Sequence, residues 1–143
     1  MANSRTQRLA GRIVDLDARR EYAGYVEWRS GRIRRVVADP TVRSRRLIMP
    51  GLVDAHVHIE SSLLPPAEFA RLAVVHGTVA TVSDPHEIAN VLGAAGVRYM
   101  VRDGRRTPLR FTFGAPSCVP ATTFETAGAT LTAPAVAKLL ADP

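Results

Sequence analysis

The amino-acid sequence predicts an α/β fold in which a small all-β segment precedes a parallel sheet flanked by helices. Two observations lead to this prediction. In residues 12–37, short runs of alternating apolar and polar side chains are separated by turn residues, which is typical of antiparallel strands. From Leu47 onward, β-branched apolar runs alternate with helical patterns, as in parallel α/β folds. We therefore expect part of a small β-sandwich in residues 1–46 and three β/α units in residues 47–143.

Composition narrows the class of protein. The chain has 143 residues, 46% of them hydrophobic, and a formal net charge of +6. A single cysteine excludes an internal disulfide, and together with the absence of an apolar leader it predicts a cytoplasmic protein. No apolar run reaches the 18 residues that would suggest a membrane span. The positive charge comes almost entirely from scattered arginines without interleaved aromatics, so we expect no nucleic-acid partner.

The first region is predicted to contain a β-hairpin. Polar and apolar side chains alternate from Tyr25 to Arg29, Ser30-Gly31 is a plausible two-residue turn, and an apolar run resumes at Ile33. This pattern favours two antiparallel strands in the small β domain.

The second region is predicted to contain three strands and three helices in alternation. Pro66 suits a first helical turn and Gly77 a helix end, while Asp84-Pro85 interrupts the second strand. The predicted strands are 47–59, 78–83 and 109–113, and the predicted helices are 65–76, 87–102 and 133–140. The expected buried faces are Phe69, Leu72 and Ala73 in the first helix, and Ile88, Val91, Leu92 and Ala95 in the second.

Two histidines mark the end of the first predicted strand. Because side chains two residues apart share one face of a strand, Asp54, His56 and His58 should point the same way. On a solvated strand this pattern would be ordinary amphipathicity. In a buried parallel strand, which the surrounding sequence resembles, a shared metal ion is the better explanation, since neutral imidazole binds zinc, iron and manganese.

Three motifs carry a resemblance to a known family. The stretch "PGLVDAHVHIESS" is similar to the signature P-G-x-[IV]-D-x-H-x-H that ends the first barrel strand in the amidohydrolase superfamily. Further along, "HGTVATVSDPHEIANVLG" and "APSCVPATTFETAGA" resemble the segments around the second strand and after the third strand in microbial adenine deaminases. Their order and spacing match over most of the chain.

The resemblance implies a fold and a reaction. The fold would be the N-terminal part of a (β/α)8 barrel preceded by part of a small β-sandwich, hence an incomplete barrel, since a whole one takes about 250 residues. The reaction would be metal-dependent hydrolysis of adenine to hypoxanthine and ammonia, with manganese or iron as the expected cofactor and zinc as a third candidate. The partner would be a small purine, and a homo-oligomer is compatible with the whole protein.

The resemblance assigns His56 and His58 to the metal, while the family's bridging carboxylate, two later histidines and late aspartate have no counterpart in this sequence. We therefore expect the 143-residue chain to lack activity by itself. Two alternatives stay open: another amidohydrolase, such as a cyclic-amide or acyl-amino-acid hydrolase, and a non-catalytic remnant.

The remaining candidate residues also follow predicted strands, where barrel enzymes carry their chemistry. His86 and Glu87 are candidate catalytic groups, although "DPHE" is equally consistent with a helix start capped by Asp84. Glu60 is a candidate for orienting a histidine or lining the substrate pocket, and a solvated loop carboxylate is an equal alternative. Ser117 and Cys118 are candidate pocket residues, with Cys118 expected to be buried and apolar in character rather than nucleophilic.

Overall fold

A computed structural model describes residues 5–142, which fall into two compact units, Met1–Pro50 and Gly51–Pro143. The class is mixed α/β, as predicted. The domain boundary expected between Arg46 and Leu47 stays a prediction, because a compact unit is not by itself an independent domain. The described residues contain no helix that is both long and apolar enough to cross a membrane.

The first unit is a four-stranded sheet with the strand order β3-β2-β1-β4. β1 pairs antiparallel with β2, and β2 pairs antiparallel with β3. Apolar and polar residues alternate across the central strands, and Ile13 is buried on one face. The strands are β1 (Gln7–Asp15), β2 (Arg20–Arg29), β3 (Arg32–Ala38) and β4 (Leu47–Ile48).

The predicted hairpin is confirmed. β2 and β3 are joined by Ser30 and Gly31, whose φ angles are +52° and +73°. Two successive positive φ values match the twist of the flanking strands, and Gly31 adopts its value without steric cost.

The prediction of one strand from residue 47 to residue 59 is wrong. Leu47–Ile48 is a separate strand, β4, which pairs in parallel with Arg12 and Ile13 of β1. Proline lacks the N–H that a ladder needs and glycine weakens a strand, so Pro50-Gly51 interrupts the pairing. A new strand begins at Leu52 and belongs to the second unit.

The second unit contains a three-stranded parallel sheet in the order β5-β6-β7, with helices in the connections. The alternation of strands and helices was predicted, and helix 133–140 agrees residue for residue. The elements are β5 (Leu52–Val57), a 3-10 helix (Ile59–Ser62), α1 (Pro66–Val74), β6 (Thr78–Ser83), α2 (His86–Leu92), α3 (Ala94–Gly104), β7 (Arg110–Phe113) and α4 (Ala133–Leu140).

The single helix predicted over residues 87–102 is two helices. Gly93 separates α2 from α3. Its backbone has φ +59° and ψ −143°, a conformation that residues other than glycine rarely adopt. The buried face also differs from the predicted one. Val91, Leu92 and Ala95 are exposed and Ile88 is half-buried, while the residues that reach the core are Ala89 of α2 and Gly96, Val97 and Met100 of α3.

The predicted face of α1 is correct in part. Phe69 and Ala73 are half-buried, but Leu72 is exposed and Ala70, at 3% exposure, faces inward instead. The main core lies around α2, α3 and α4 and comprises Ala89, Val97, Val119, Leu131 and Leu139.

The expectation that the first barrel-type strand is buried on both faces is wrong for this chain. β5 is an edge strand, and five of its six residues are exposed, with Val53 at 60%. An edge strand has one neighbour instead of two, so its side chains meet fewer packing partners.

Candidate metal centre

His56 and His58 converge at the carboxyl end of β5. His56 lies in the strand and His58 follows its last residue, with an extended backbone that preserves the alternation of side chains. Their Nε2 atoms are 3.1 Å apart and their ring centroids 5.0 Å apart. The predicted shared direction of the two rings is confirmed, although their role as metal ligands stays a prediction.

The spacing of the two nitrogens fits a shared metal ion. Imidazole nitrogens bind zinc at about 2.0–2.1 Å, so two of them on one ion, with about 90–109° between the bonds, lie roughly 2.8–3.4 Å apart. The observed 3.1 Å falls in this range. The residues present therefore fit two positions of a divalent ion.

Glu87 holds the far side of the His58 ring. Its Oε2 is 3.1 Å from His58 Nδ1, and Ser61 Oγ donates to its Oε1 at 2.8 Å. Partial burial alone would raise the pKa of Glu87, but the hydrogen bonds from Ser61 and His58 outweigh it and hold the pKa below its ordinary value. A carboxylate that accepts a histidine N–H in this way orients the ring and sets its tautomer.

Glu60 contacts the backbone of α2 and not a histidine ring. Its Oε1 accepts the backbone N–H of Ile88 in the first turn of α2 at 3.2 Å, and its Oε2 is buried without a hydrogen-bond partner. Partial burial raises the pKa of Glu60. The contact with a histidine ring belongs to Glu87 instead, and a role of Glu60 in the substrate pocket stays a prediction.

His86 lies beside the pair as the first residue of α2. Its ring centroid is 6.5 Å from that of His58. The alternative of a helix capped by Asp84 is wrong, because Pro85 occupies the cap position and no side chain caps the helix. Asp84 instead donates its backbone N–H to Val57 at 3.0 Å, and its Oδ1 is buried without a partner.

The structure does not bring Ser117 and Cys118 to the histidines. Both are exposed in the segment after β7, and within residues 5–142 neither makes a hydrogen bond to the cluster. The expectation of a buried Cys118 is wrong, since no apolar element of the described chain covers it. Their place in a substrate pocket stays a prediction.

Ser61 is the member of the site that sequence reasoning missed. It follows the histidine motif directly in "HIESS", and the 3-10 helix over Ile59–Ser62 turns it toward Glu87. The only signal was its proximity to His58, because a contact between residues 26 positions apart cannot be read from spacing.

Over residues 5–142, the chain does not gather three or more histidine, cysteine, aspartate or glutamate side chains into a group that could hold a metal ion. Two nitrogens are fewer than the three protein ligands usual in catalytic zinc sites. The pair alone is therefore too small for such a site.

The comparison with known proteins finds adenine deaminases among the relatives of this chain. An adenine deaminase of Salinibacter ruber is 61% identical over 132 residues, which cover 92% of this chain and 24% of that protein. An adenine deaminase of Methanosarcina acetivorans is 56% identical over 131 residues, again 92% of this chain and 24% of that protein. A third, from Sulfurovum sp., is 69% identical over 96 residues, which cover 67% of this chain and 18% of that protein.

The chain thus spans about a quarter of the length of the first two of these relatives. The sequence profile of the amidohydrolase family matches residues 47–142, which include the whole parallel sheet, both converging histidines and Glu87. With two thirds of its length covered by that profile, the chain belongs to the amidohydrolase family.

Proposed function

We propose that this chain forms the front part of a metal-dependent adenine deaminase, which converts adenine and water to hypoxanthine and ammonia. The observation that carries the proposal is the convergence of His56 and His58 at the carboxyl end of β5, in a segment similar to adenine deaminases. In the whole protein, β5, β6 and β7 would be the first three strands of a (β/α)8 barrel, whose active sites lie at the carboxyl ends of the strands. The four-stranded sheet would be part of a small β-sandwich.

His56 and His58 would hold the ion through Nε2, and Glu87 would keep the His58 ring in place from the opposite side. When bound, the ion, manganese or iron by resemblance and zinc as a third candidate, would supply Lewis-acid activation of water near neutral pH. The conversion itself forms a C6–O bond from water and breaks the C6–N bond with loss of ammonia.

A proton must reach the departing amino group, because the amide anion is too basic to leave. His86 is a candidate for this transfer. Its ring centroid lies 6.5 Å from that of His58, and the ring makes no hydrogen bond within the described residues. Both oxygens of Glu87 are engaged, which favours a positioning role for Glu87 over proton transfer.

The activity belongs to the whole protein, and we expect the 143-residue chain to show no turnover above a blank that contains only metal. A cytoplasmic location, a small purine as the partner and self-association of the whole protein are part of the same proposal. The reason for the expected inactivity is that residues 5–142 gather no group of three or more possible metal ligands.

The decisive experiment is a segment exchange. This chain replaces the matching segment of the Salinibacter ruber adenine deaminase, to which it is 61% identical. The chimera is loaded with manganese or iron, and conversion of adenine to hypoxanthine is followed by absorbance. We expect adenine turnover, and we expect His56→Ala in the chimera to abolish it.

A matched control is Glu68→Gln, which alters an exposed carboxylate of α1 that is paired with Arg71. A folded chimera, judged by its thermal midpoint, that hydrolyses a cyclic amide but not adenine would favour the alternative amidohydrolase. A folded chimera that binds metal and has no activity on either substrate would favour the non-catalytic remnant.

A further inference from the structure

A continuous series of side-chain contacts links Ser61, Glu87, His58 and His56 in that order. We propose that Ser61 and Glu87 fix His58 in the tautomer that is ready to bind a metal ion, and that His56 is the residue whose tautomer changes when the ion binds. This inference rests on the proposed metal-dependent function.

The first step concerns Glu87. An ionised carboxylate has only acceptor atoms. Ser61 donates to Oε1 at 2.8 Å, and the remaining oxygen, Oε2, lies 3.1 Å from His58 Nδ1. The proton in this contact must therefore come from the ring, so neutral His58 carries its single proton on Nδ1 and leaves the lone pair of Nε2 free.

The second step concerns the contact between the two rings. His56 Nε2 lies 3.1 Å from His58 Nε2, a distance at which one of the two nitrogens donates to the other. Since His58 Nε2 has no proton, the donor is His56 Nε2. His56 thus carries its proton on the nitrogen that faces the prospective ion.

The third step is the difference between the two rings. Within the described residues, the Nδ1 atom of His56 has no carboxylate partner comparable to Glu87, and His56 is exposed. Binding of both Nε2 atoms to one ion requires both lone pairs. His56 must therefore lose its Nε2 proton to water and take up a proton at Nδ1, whereas His58 keeps its proton where it is.

The arrangement has a functional reason. The contact between the rings keeps both nitrogens at metal-binding separation while no ion is present, and only one proton has to move when the ion arrives. Glu87 is therefore a positioning residue, and Ser61 acts through Glu87.

The experiment is nitrogen-15 NMR of the histidine side chains in the 143-residue chain at about pH 8, where an unperturbed imidazole is neutral. Zinc is the probe, because it is diamagnetic and imidazole binds it well. Without zinc, we expect the proton of His58 on Nδ1 and that of His56 on Nε2. With zinc, we expect the proton of His56 on Nδ1 and no change of tautomer at His58.

Variants separate positioning from general stability. In Glu87→Gln the amide offers both a donor and an acceptor, so neither tautomer of His58 is fixed. We expect mixed His58 tautomers and a zinc affinity about 10–100-fold weaker, the usual effect of losing such a partner. Ser61→Ala should weaken the affinity less, and Glu68→Gln, the matched control, should leave both the spectrum and the affinity unchanged.

A proton on His58 Nε2 in the zinc-free chain, or a change of tautomer at His58 instead of His56 on zinc addition, would overturn the inference. So would an unchanged zinc affinity in Glu87→Gln. These results are independent of adenine turnover in the chimera, so failure of this inference and failure of the proposed function can be told apart.

Discussion

Glu27 in the first unit and Glu87 in the second each accept hydrogen bonds on both carboxylate oxygens, but from chemically different donors. Glu27 lies on β2 between Arg8 of β1 and Arg35 of β3, with contacts of 2.8 Å and 2.9 Å to the two guanidinium groups. Glu87 has a serine hydroxyl and a histidine ring as its partners.

The two sets of donors give the carboxylates different roles. Glu27 links strands, whereas Glu87 can determine which nitrogen of His58 carries the proton. A guanidinium is always charged and cannot give up its proton, so the triad of Arg8, Glu27 and Arg35 can only link three strands. An imidazole has two nitrogens that can exchange roles, and a carboxylate on one of them decides what the other can do.

The two units also differ in their buried polar atoms that lack a hydrogen-bond partner. The buried side-chain oxygens without a hydrogen-bond partner within residues 5–142 are Glu60 Oε2, Asp84 Oδ1 and Asn90 Oδ1, all in the second unit. Such atoms are costly to bury and each requires an explanation. Asp84 lies two residues before α2, Asn90 lies within it, and Glu60 contacts its first turn through the N–H of Ile88.

The largest contrast is expected for metal binding. His58→Ala should lower zinc affinity by more than about 100-fold, beyond the usual loss for a supporting residue, because it removes one of two ligands. Glu27→Gln should leave zinc affinity unchanged and lower the thermal midpoint by several degrees, since Arg8 and Arg35 then face a neutral amide. Calorimetric titration and thermal unfolding of both variants provide the check.

That contrast fails if Glu27→Gln weakens zinc binding as much as His58→Ala does. Such a result would mean that the variants act through loss of folding and not through separate roles.

A smaller contrast is expected between two glycines with positive φ. Gly93, at +59°, would place an added Cβ 3.2 Å from the Cβ of Ala129, whereas Gly31, at +73°, has open space around it. We expect Gly93→Ala to cost about 2–3 kcal/mol of unfolding free energy and Gly31→Ala about 1 kcal/mol. Denaturant unfolding measures both, and equal losses would show that the break between α2 and α3 is not sterically fixed.

The smallest effect concerns acid stability. Hydrogen bonds from Arg8 and then Arg35 lower the pKa of Glu27 in the folded chain from an ordinary value of 4.5. Because the folded value is the lower one, the ion pairs stabilise the fold fully above pH 4.5, and this contribution is lost as the pH falls toward the folded pKa. Glu27→Gln should therefore flatten the decline of unfolding free energy with acidity.

Part of the slope should remain in that variant, because hydrogen bonds from Thr41 also lower the pKa of Asp39. The measurement is urea unfolding at several pH values from neutral to acid. An unchanged slope in Glu27→Gln would contradict the role given to the arginine triad.

Local patterns predicted the elements that local chemistry determines. The turn at Ser30-Gly31, helix 133–140 and the shared direction of His56 and His58 depend on neighbouring residues, and the structure agrees with each. The resemblance of the histidine motif and its two companion segments was sufficient to indicate the family.

Most of the errors concern contacts between residues far apart in the chain. Leu47–Ile48 joins β1, a partner 35 positions earlier, and no local pattern reveals that pairing. Glu60 and Glu87 could not be assigned to their partners either, because the 3-10 helix after His58 determines which carboxylate reaches the ring. The break at Gly93 was missed because the apolar spacing on both sides is helical.

The most direct test of the metal centre is anomalous X-ray diffraction at the zinc edge from zinc-soaked crystals of the chain. We predict one peak about 2.0–2.1 Å from both His56 Nε2 and His58 Nε2. The absence of a peak at this pair, or a peak bound to only one of the two rings, would contradict the claim that they share an ion.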